Sequence, residues 1–367
     1  MDLISIILSF RNEEANIPEL SRRIAAVFLD TDLDYEMLFI NDCSTDRSLS
    51  LLTALAAKDE RIKIINTSRR CGPSACVLAG LAHARGAAAI CLDSDLQDPP
   101  ELIAKMIEEW RKGADVVNTT RLSRAGESKI KMQITRLAYY IINYISDTDI
   151  PMDTGDYKLL SRRVIIELLR LKEYDPFLRG LVRWVGFRQT QIFYHREARA
   201  GGRTNMSIWG RGPVRAFISG VTSFSSYPLY VSMIFGTLIS ILAFIYLVGI
   251  VITKEVWDMH NPGWPSIMAT ILFLSGVLLM SNGVNGVYIG RIHRQVKQRP
   301  LWIVDSTVNV DPDIVALNNP DYLRGFDDAR SLAARKLETL VGNSQINPAS
   351  FGDVIRAITP GERPPQA

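Results

Sequence analysis

The sequence has no Cys-x-x-Cys pair and only four histidines, which excludes the usual clustered zinc ligands. Its four cysteines, Cys43, Cys71, Cys76 and Cys91, all fall in the first quarter of the chain, and three follow or sit within apolar runs. They read as reduced structural thiols, which suits a cytosolic domain. A strong charge imbalance is also missing: 42 Lys and Arg against 39 Asp and Glu leave +3, too little to argue for nucleic-acid binding. No basic n-region opens the chain, since Asp2 stands there and the apolar run 3–8 ends at Arg11 and Asn12. A signal peptide is therefore not expected, and any membrane insertion falls to an internal segment.

Formal charge is absent from two long stretches, 228–252 and 265–289. Each holds roughly 25 residues, more than the ~20 needed to span a bilayer, and the pair reads as a transmembrane hairpin. Arg196, Arg199, Arg203, Arg211 and Arg215 precede it, and Arg291, Arg294, Lys297 and Arg299 follow. The loop between holds only Lys254 as a base, beside Glu255 and Asp258. Positive charge stays inside, so the large N-terminal domain and the C-terminal tail are both expected on the cytoplasmic side of the cell membrane.

The chain divides on this reading into residues 1–227, the hairpin 228–290 and a tail 291–367. In the first part short apolar runs at 4–10, 36–40, 62–65, 88–92 and 115–118 read as strands. Stretches 16–28, 46–57, 73–84 and 99–110 read as helices between them. That alternation implies an α/β fold with a mostly parallel sheet, whose ligands bind at the carboxyl ends of the strands. Further on, 132–145 and 162–171 are helical candidates and 190–194 a strand. Residues 208–224 are apolar on one side and basic on the other, as an interfacial helix or an ordinary amphipathic surface helix would be. The tail is polar with one helical candidate, 320–341, and offers no recognisable chemistry.

The most informative string is Cys91-Leu-Asp-Ser-Asp-Leu-Gln-Asp-Pro-Pro-Glu101. Asp93 and Asp95 flank one residue at the end of a strand, where carboxylate oxygens suit a hard divalent cation that also holds substrate phosphates. Gln97 adds a neutral oxygen. A second string, Phe39-Ile-Asn-Asp-Cys-Ser-Thr-Asp46, places Asp42 at the same sheet edge. There a carboxylate can accept hydrogen bonds from a nucleobase N–H or a ribose hydroxyl, while Ser44 or Asp46 caps the next helix.

These strings, with Ser9-Phe-Arg-Asn-Glu13, resemble the successive motifs of family 2 inverting glycosyltransferases with the GT-A fold. More narrowly the chain resembles polyprenyl-phosphate glycosyltransferases, the group that includes dolichol-phosphate mannose synthase and bacterial polyprenyl-phosphate glucosyltransferases. Asp153-Thr-Gly-Asp-Tyr-Lys158, Ser161-Arg162, Phe177-Leu-Arg-Gly180, Arg196-x-x-Arg199-x-x-Gly202 and Arg299-Pro300 extend the likeness over about 1–304. Two departures stand out. Asp42-Cys43-Ser44 replaces a common Asp-Gly-Ser, and Gly202-Arg-Thr-Asn-Met206 replaces Gly-x-Ser-Lys-Tyr.

The resemblance implies a Rossmann-like nucleotide-sugar-binding domain that uses Mg²⁺ or Mn²⁺ on Asp93, Asp95 and Gln97. It implies donor contacts from Phe10, Asn12, Glu13, Asp42, Asp93 and Ser94, with a UDP- or GDP-sugar as donor and UDP-glucose the one expected. The acceptor is a polyprenyl phosphate in the bilayer, already largely a dianion at neutral pH. Arg121, Arg136, Arg196 and Arg199 are the candidates to hold its phosphate, although each could instead be a basic residue drawn to anionic lipid. Asp156 is the remaining catalytic carboxylate beside Asp95, Arg121 and Arg136, or else a structural turn acid. No nucleic-acid partner is expected, and a homo-oligomer is open. Two rival readings exist. A processive polysaccharide synthase would carry Gln-x-x-Arg-Trp, whereas Arg183-Trp184 here has Gly180 at the Gln position. A non-catalytic membrane scaffold would have lost Asp93, Asp95 or Gln97.

Overall fold

Strand β1, Leu3–Phe10, is almost continuously buried, as is β2, Asp34–Asn41, so both faces of these strands must be covered. A computed structural model shows how, describing residues 2–29, 31–124, 154–196, 221–222, 225–257 and 263–311 together with Gln133, Tyr140 and Tyr144. The chain divides into two compact units, Met1–Ile314 and Val315–Ala367, and the described residues all belong to the first.

Along β1 the side chains alternate between two cores. Ile4, Ile6, Leu8 and Phe10 join one, packed under α1 (Ile17–Phe28), α2 (Ser48–Ala56) and α4 (Leu102–Arg111). Ile7 joins the other, under α3 (Pro73–His83), α5 (Arg162–Arg170) and α6 (Leu178–Trp184). Helices therefore sandwich the sheet in three layers. At ~1.5–3 kcal/mol for each fully buried aliphatic side chain, these two apolar faces hold the scaffold on which the loops sit.

The remaining strands are β3 (Ile62–Thr67), β4 (Ala88–Asp93), β5 (Val116–Arg124), β6 (Thr154–Ser161), β7 (Gln189–Arg196) and β8 (Val304–Val308), in the order β7-β5-β6-β4-β1-β2-β3-β8. β1 pairs in parallel with β2 and β4, and β2 with β3. The sheet is mixed beyond that block. β6 runs antiparallel between β4 and β5, and β8 runs antiparallel to β3. Neither strand is evident from hydropathy. β6 begins with the polar Thr-Gly-Asp, and β8, Val-Asp-Ser-Thr-Val, has a mostly exposed face. β8 thus returns part of the stretch read as a tail to the sheet. Asn309 fastens it by donating to the carbonyls of Ala56 and Ile62, at 2.9 and 3.0 Å.

Two long helices, α7 (Tyr227–Trp257) and α8 (Trp264–Val296), contain the apolar runs. Within them Tyr227–Tyr246 and Phe273–Val296 are long and apolar enough to cross a membrane, and their apolar side chains are exposed rather than packed into the sheet domain. The expected helix over 132–145 is represented by Gln133, Tyr140 and Tyr144, all helical. The helix over 320–341 and nearly all of 208–224 lie outside the described residues.

Candidate active site

Register explains why distant residues converge. β1 runs beside β2 with Phe10 opposite Asn41, and beside β4 with Ser9 opposite Asp93. The segments following three strands therefore open at one carboxyl edge. β6 arrives from the opposite direction with Lys158 across from Cys91, so Asp156 lies two residues farther toward the same edge.

The first two loops are stitched together by polar side chains. Asn12, at φ +58°, sits in the left-handed region that Asn tolerates. Its Oδ1 accepts from the Thr45 amide at 2.8 Å, and its own amide donates to Ser44 Oγ at 3.1 Å. The Glu13 amide donates to Ser48 Oγ at 2.9 Å. Asp46 accepts from the amides of Ser48 and Glu14, so it satisfies the first amide of α2 from the residue before the Arg47 N-cap. Phe10 departs from expectation: its ring is buried edge-on against Phe39, so it supports the loop from the core instead of facing a ligand.

Asp42 is buried, and its Oδ1 accepts from the amides of Cys71 at 2.7 Å and Gly72 at 3.3 Å. Its neighbour Cys43 adopts φ +55°, a left-handed conformation that costs a non-glycine residue about 1–2 kcal/mol. The departure from Asp-Gly-Ser noted above thus falls on a backbone position that favours glycine.

Beyond β4, Asp93 is partly buried, Ser94 Oγ donates to the Ser9 carbonyl at 2.8 Å, and Asp95 Oδ1 accepts from the Gln97 amide at 3.2 Å. Leu96 is forced to φ +57° while its side chain stays in the core. Burial, and then the charges of Asp156, Asp95 and Asp98, raise the Asp93 carboxyl to about 7. Crowding of this kind is what a divalent cation relieves, and the oxygen-only set Asp93, Asp95 and Gln97 fits a hard one.

Asp156 has the opposite character. Burial opposes its ionisation, but the Arg179 guanidinium, with Lys158 and Arg121 behind it, holds the carboxyl well below the usual range. Arg179 grips it bidentately at 2.9 and 2.8 Å. Lys158 is buried nearby, and burial lowers its pKa. Arg179 lies in the Phe-Leu-Arg-Gly string, but with no strand or carboxylate next to it in sequence, nothing local gives it a role.

Arg121 is not an open phosphate ligand. Its side chain is 9% exposed, with Nη2 donating to Asp98 Oδ2 at 3.1 Å and Nε to Tyr194 Oη at 3.0 Å. Tyr194 in turn donates to Asp98, its phenol lifted to about 12 by burial and by that carboxylate. The three form a buried strut linking the segment after β4 to β5 and β7. Arg196 ends β7, opposite Arg124 in the register. Arg136 and Arg199 lie outside the described residues.

A model of Glycosyl transferase family 2 matches residues 5–169, the span that carries Asp42, the Asp93–Asp98 segment and Asp156. The chain is 41% identical over 307 residues to the uncharacterized glycosyltransferase YkcC of Bacillus subtilis (strain 168), covering 84% of this chain and 94% of that protein. The chain belongs to glycosyl transferase family 2. A further relative is the uncharacterized glycosyltransferase sll0501 of Synechocystis, 38% identical over 83% of this chain and 95% of its own length. The SfII prophage-derived bactoprenol glucosyl transferase of Shigella flexneri is 35% identical over 84% of this chain and 99% of its own length. As a family 2 glycosyltransferase the chain has the GT-A, Rossmann-like mixed sheet, with its candidate donor and metal residues at the carboxyl edge of β1, β2 and β4.

Proposed function

We propose that this glycosyltransferase moves glucose from UDP-glucose to the phosphate of a polyprenyl carrier such as undecaprenyl phosphate, with inversion, at the cytoplasmic face of a membrane crossed by α7 and α8. The observation that carries the proposal is the near full-length likeness to a bactoprenol glucosyl transferase. The carboxylate cluster at the β4 edge supports it independently.

The acceptor needs little base catalysis, because a phosphate monoester with a second pKa near 6 is mostly dianionic at neutral pH. Asp42 faces the nucleoside, while Asn12 and Glu13 brace the loop that borders it. Asp93, Asp95 and Gln97 would hold Mg²⁺ or Mn²⁺, which would offset the charge of the departing diphosphate. Ser94 positions these ligands through its bond to β1. Asp156, kept ionised by Arg179, orients the acceptor, and Arg136, Arg196 and Arg199 steady its phosphate. Arg121 acts at one remove, through Asp98. The cytoplasmic placement rests on the basic flanks of the hairpin. Residues 1–227 then form the catalytic domain, joined by β8 from the segment after the hairpin.

Turnover by the purified full chain in detergent tests the proposal, with undecaprenyl phosphate, Mg²⁺ or Mn²⁺ and a panel of UDP- and GDP-sugars. A glucosylated lipid made from UDP-glucose, lost with EDTA and lowered at least about 100-fold in Asp95→Asn, is the expected result. Product from another sugar nucleotide would replace the donor, and no product from any donor would remove the reaction itself.

A further inference from the structure

Three of the four thiols gather around Asp42. Cys43 Sγ lies 3.2 Å from the Thr67 carbonyl, and the sulfurs of Cys71 and Cys76 are 3.4 Å apart and hydrogen-bonded. The Asp42 carboxylate and those two sulfurs all lie within 4.8 Å of one another. The pair is asymmetric. Cys71 is partly exposed, and its hydrogen bond with Cys76 lowers its pKa. Cys76 is fully buried, and the same bond together with burial raises its thiol strongly. A partly exposed sulfur, the more acidic of the two, thus faces a buried partner already in contact with it.

The two residues also differ in freedom to move. Cys76 closes the first turn of α3, which rests so closely on the sheet that a Cβ at Gly80 would lie 2.4 Å from Ile7 Cγ2. Cys71 precedes Gly72, whose φ of +89° and open surroundings place the residue where the backbone has the widest choice of conformations. The amides of Cys71 and Gly72 are the two that clamp Asp42.

We propose that Cys71 and Cys76 are a peroxide-sensitive dithiol whose closure to a disulfide pulls the Cys71–Gly72 amides from Asp42 and weakens nucleotide-sugar binding. The Cys71 thiolate attacks a peroxide oxygen, giving a sulfenic acid and, with one proton, water. The Cys76 thiol then displaces the hydroxyl as a second water, so two thiols are oxidised and one peroxide is reduced. Closing the gap from 3.4 Å to the ~2.05 Å of an S–S bond draws the Cys71 sulfur more than an ångström toward Cys76, and a backbone that follows it lengthens the 2.7 Å hydrogen bond from the Cys71 amide to Asp42. The consequence for binding rests on the reading of Asp42 as the nucleoside-facing carboxylate. The chemistry of the pair does not.

The test uses the full chain in detergent, reduced, then exposed to hydrogen peroxide, alkylated and digested, with UDP binding titrated in parallel. The expected result is a Cys71–Cys76 cross-link lighter by two hydrogens and a UDP Kd weakened about tenfold, the effect of losing one or two charge-assisted hydrogen bonds. Dithiothreitol restores both, and Cys76→Ala, or Cys76→Ser should the alanine variant not fold, binds UDP normally when reduced and forms no cross-link, its Cys71 oxidation stopping at the sulfenic acid. A cross-link with unchanged Kd overturns the control of binding. Oxygen added to Cys43 or Cys91 with no cross-link overturns the pair. Weakened binding reversed by a chelator and not by thiol would assign the trio to a thiophilic cation instead. A reduced protein that binds no UDP overturns the proposed donor, while the mass of the cross-link still reports on the dithiol.

Discussion

Replacing Asp98 by alanine tests whether Arg121 is a strut or a substrate ligand. Asp98 is fully buried and Arg121 nearly so, so solvent screening gives little relief when the carboxylate is removed. The Arg121 guanidinium would be left desolvated with Tyr194 as its one bonded partner among the described residues, and the Tyr194 hydroxyl would lose its acceptor. Breaking a buried pair in this way costs about 3–5 kcal/mol. At ~2–4 °C per kcal/mol for a domain of this size, the unfolding midpoint should fall by roughly 6–20 °C. The assay is thermal unfolding of the full chain in detergent, followed by intrinsic fluorescence. Adding Arg121→Met to Asp98→Ala should recover about 1–3 kcal/mol, because an apolar side chain of similar length no longer strands a charge. An Asp98→Ala midpoint within about 2 °C of the parent would refute the strut. So would an Arg121→Met variant of full stability whose only defect is a raised KM for the polyprenyl phosphate.

Other consequences follow from the same geometry. Asp93 titrates near 7 in the folded chain against ~3.9 unfolded, so the folded state holds the extra proton in that window. Without divalent cation, the unfolding midpoint should fall as pH rises from about 4 to 7, whereas Mn²⁺ or Asp93→Asn should flatten the profile. A profile with EDTA that stays flat would contradict the crowding. A Cβ at Gly155 would stand 3.0 Å from Arg121 Nη2, the nitrogen that donates to Asp98. Gly155→Ala should therefore lower turnover about tenfold or more while cutting stability by only ~1–2 kcal/mol, measured by initial rates and by unfolding. Ending the chain after residue 311 should leave the unfolding midpoint near the parent value. Ending it after 299 removes β8 and uncovers the edge of β3, and should cost several degrees. Equal midpoints would show that β8 contributes nothing.

The parts of this molecule legible in its sequence are those governed by neighbours in the chain. The buried parallel strands announce themselves as apolar runs, and the Asp93–Asp95 pair is visible because the cation chemistry requires carboxylates one residue apart. Cys43 was legible as a departure from glycine, and its left-handed backbone explains why glycine suits that position. What escaped depends on pairing across the sheet. β6 begins with polar residues, yet its register with β4 is what carries Asp156 to the site. Arg179 acquires its role from a partner 23 residues away, and the sequence pointed Arg121 toward a ligand because the chain cannot show that Asp98 and Tyr194 occupy it. Phe10 stood inside a binding motif while serving the core.

The return of the chain to the sheet as β8 sets a working height. Only Lys297 to Ile303 separate the end of α8 from β8, and seven residues reach at most ~25 Å when fully extended. The actual strap is shorter still in effect. Gln295 bonds to the backbone of both Lys172 and Tyr174, and Arg69 holds the carbonyls of Pro300 and Leu301. With α8 in a bilayer, the catalytic layer cannot drift away like a float on a long line. It rides at a near-constant standoff, and a carrier lipid need lift its phosphate only that far from its fellows.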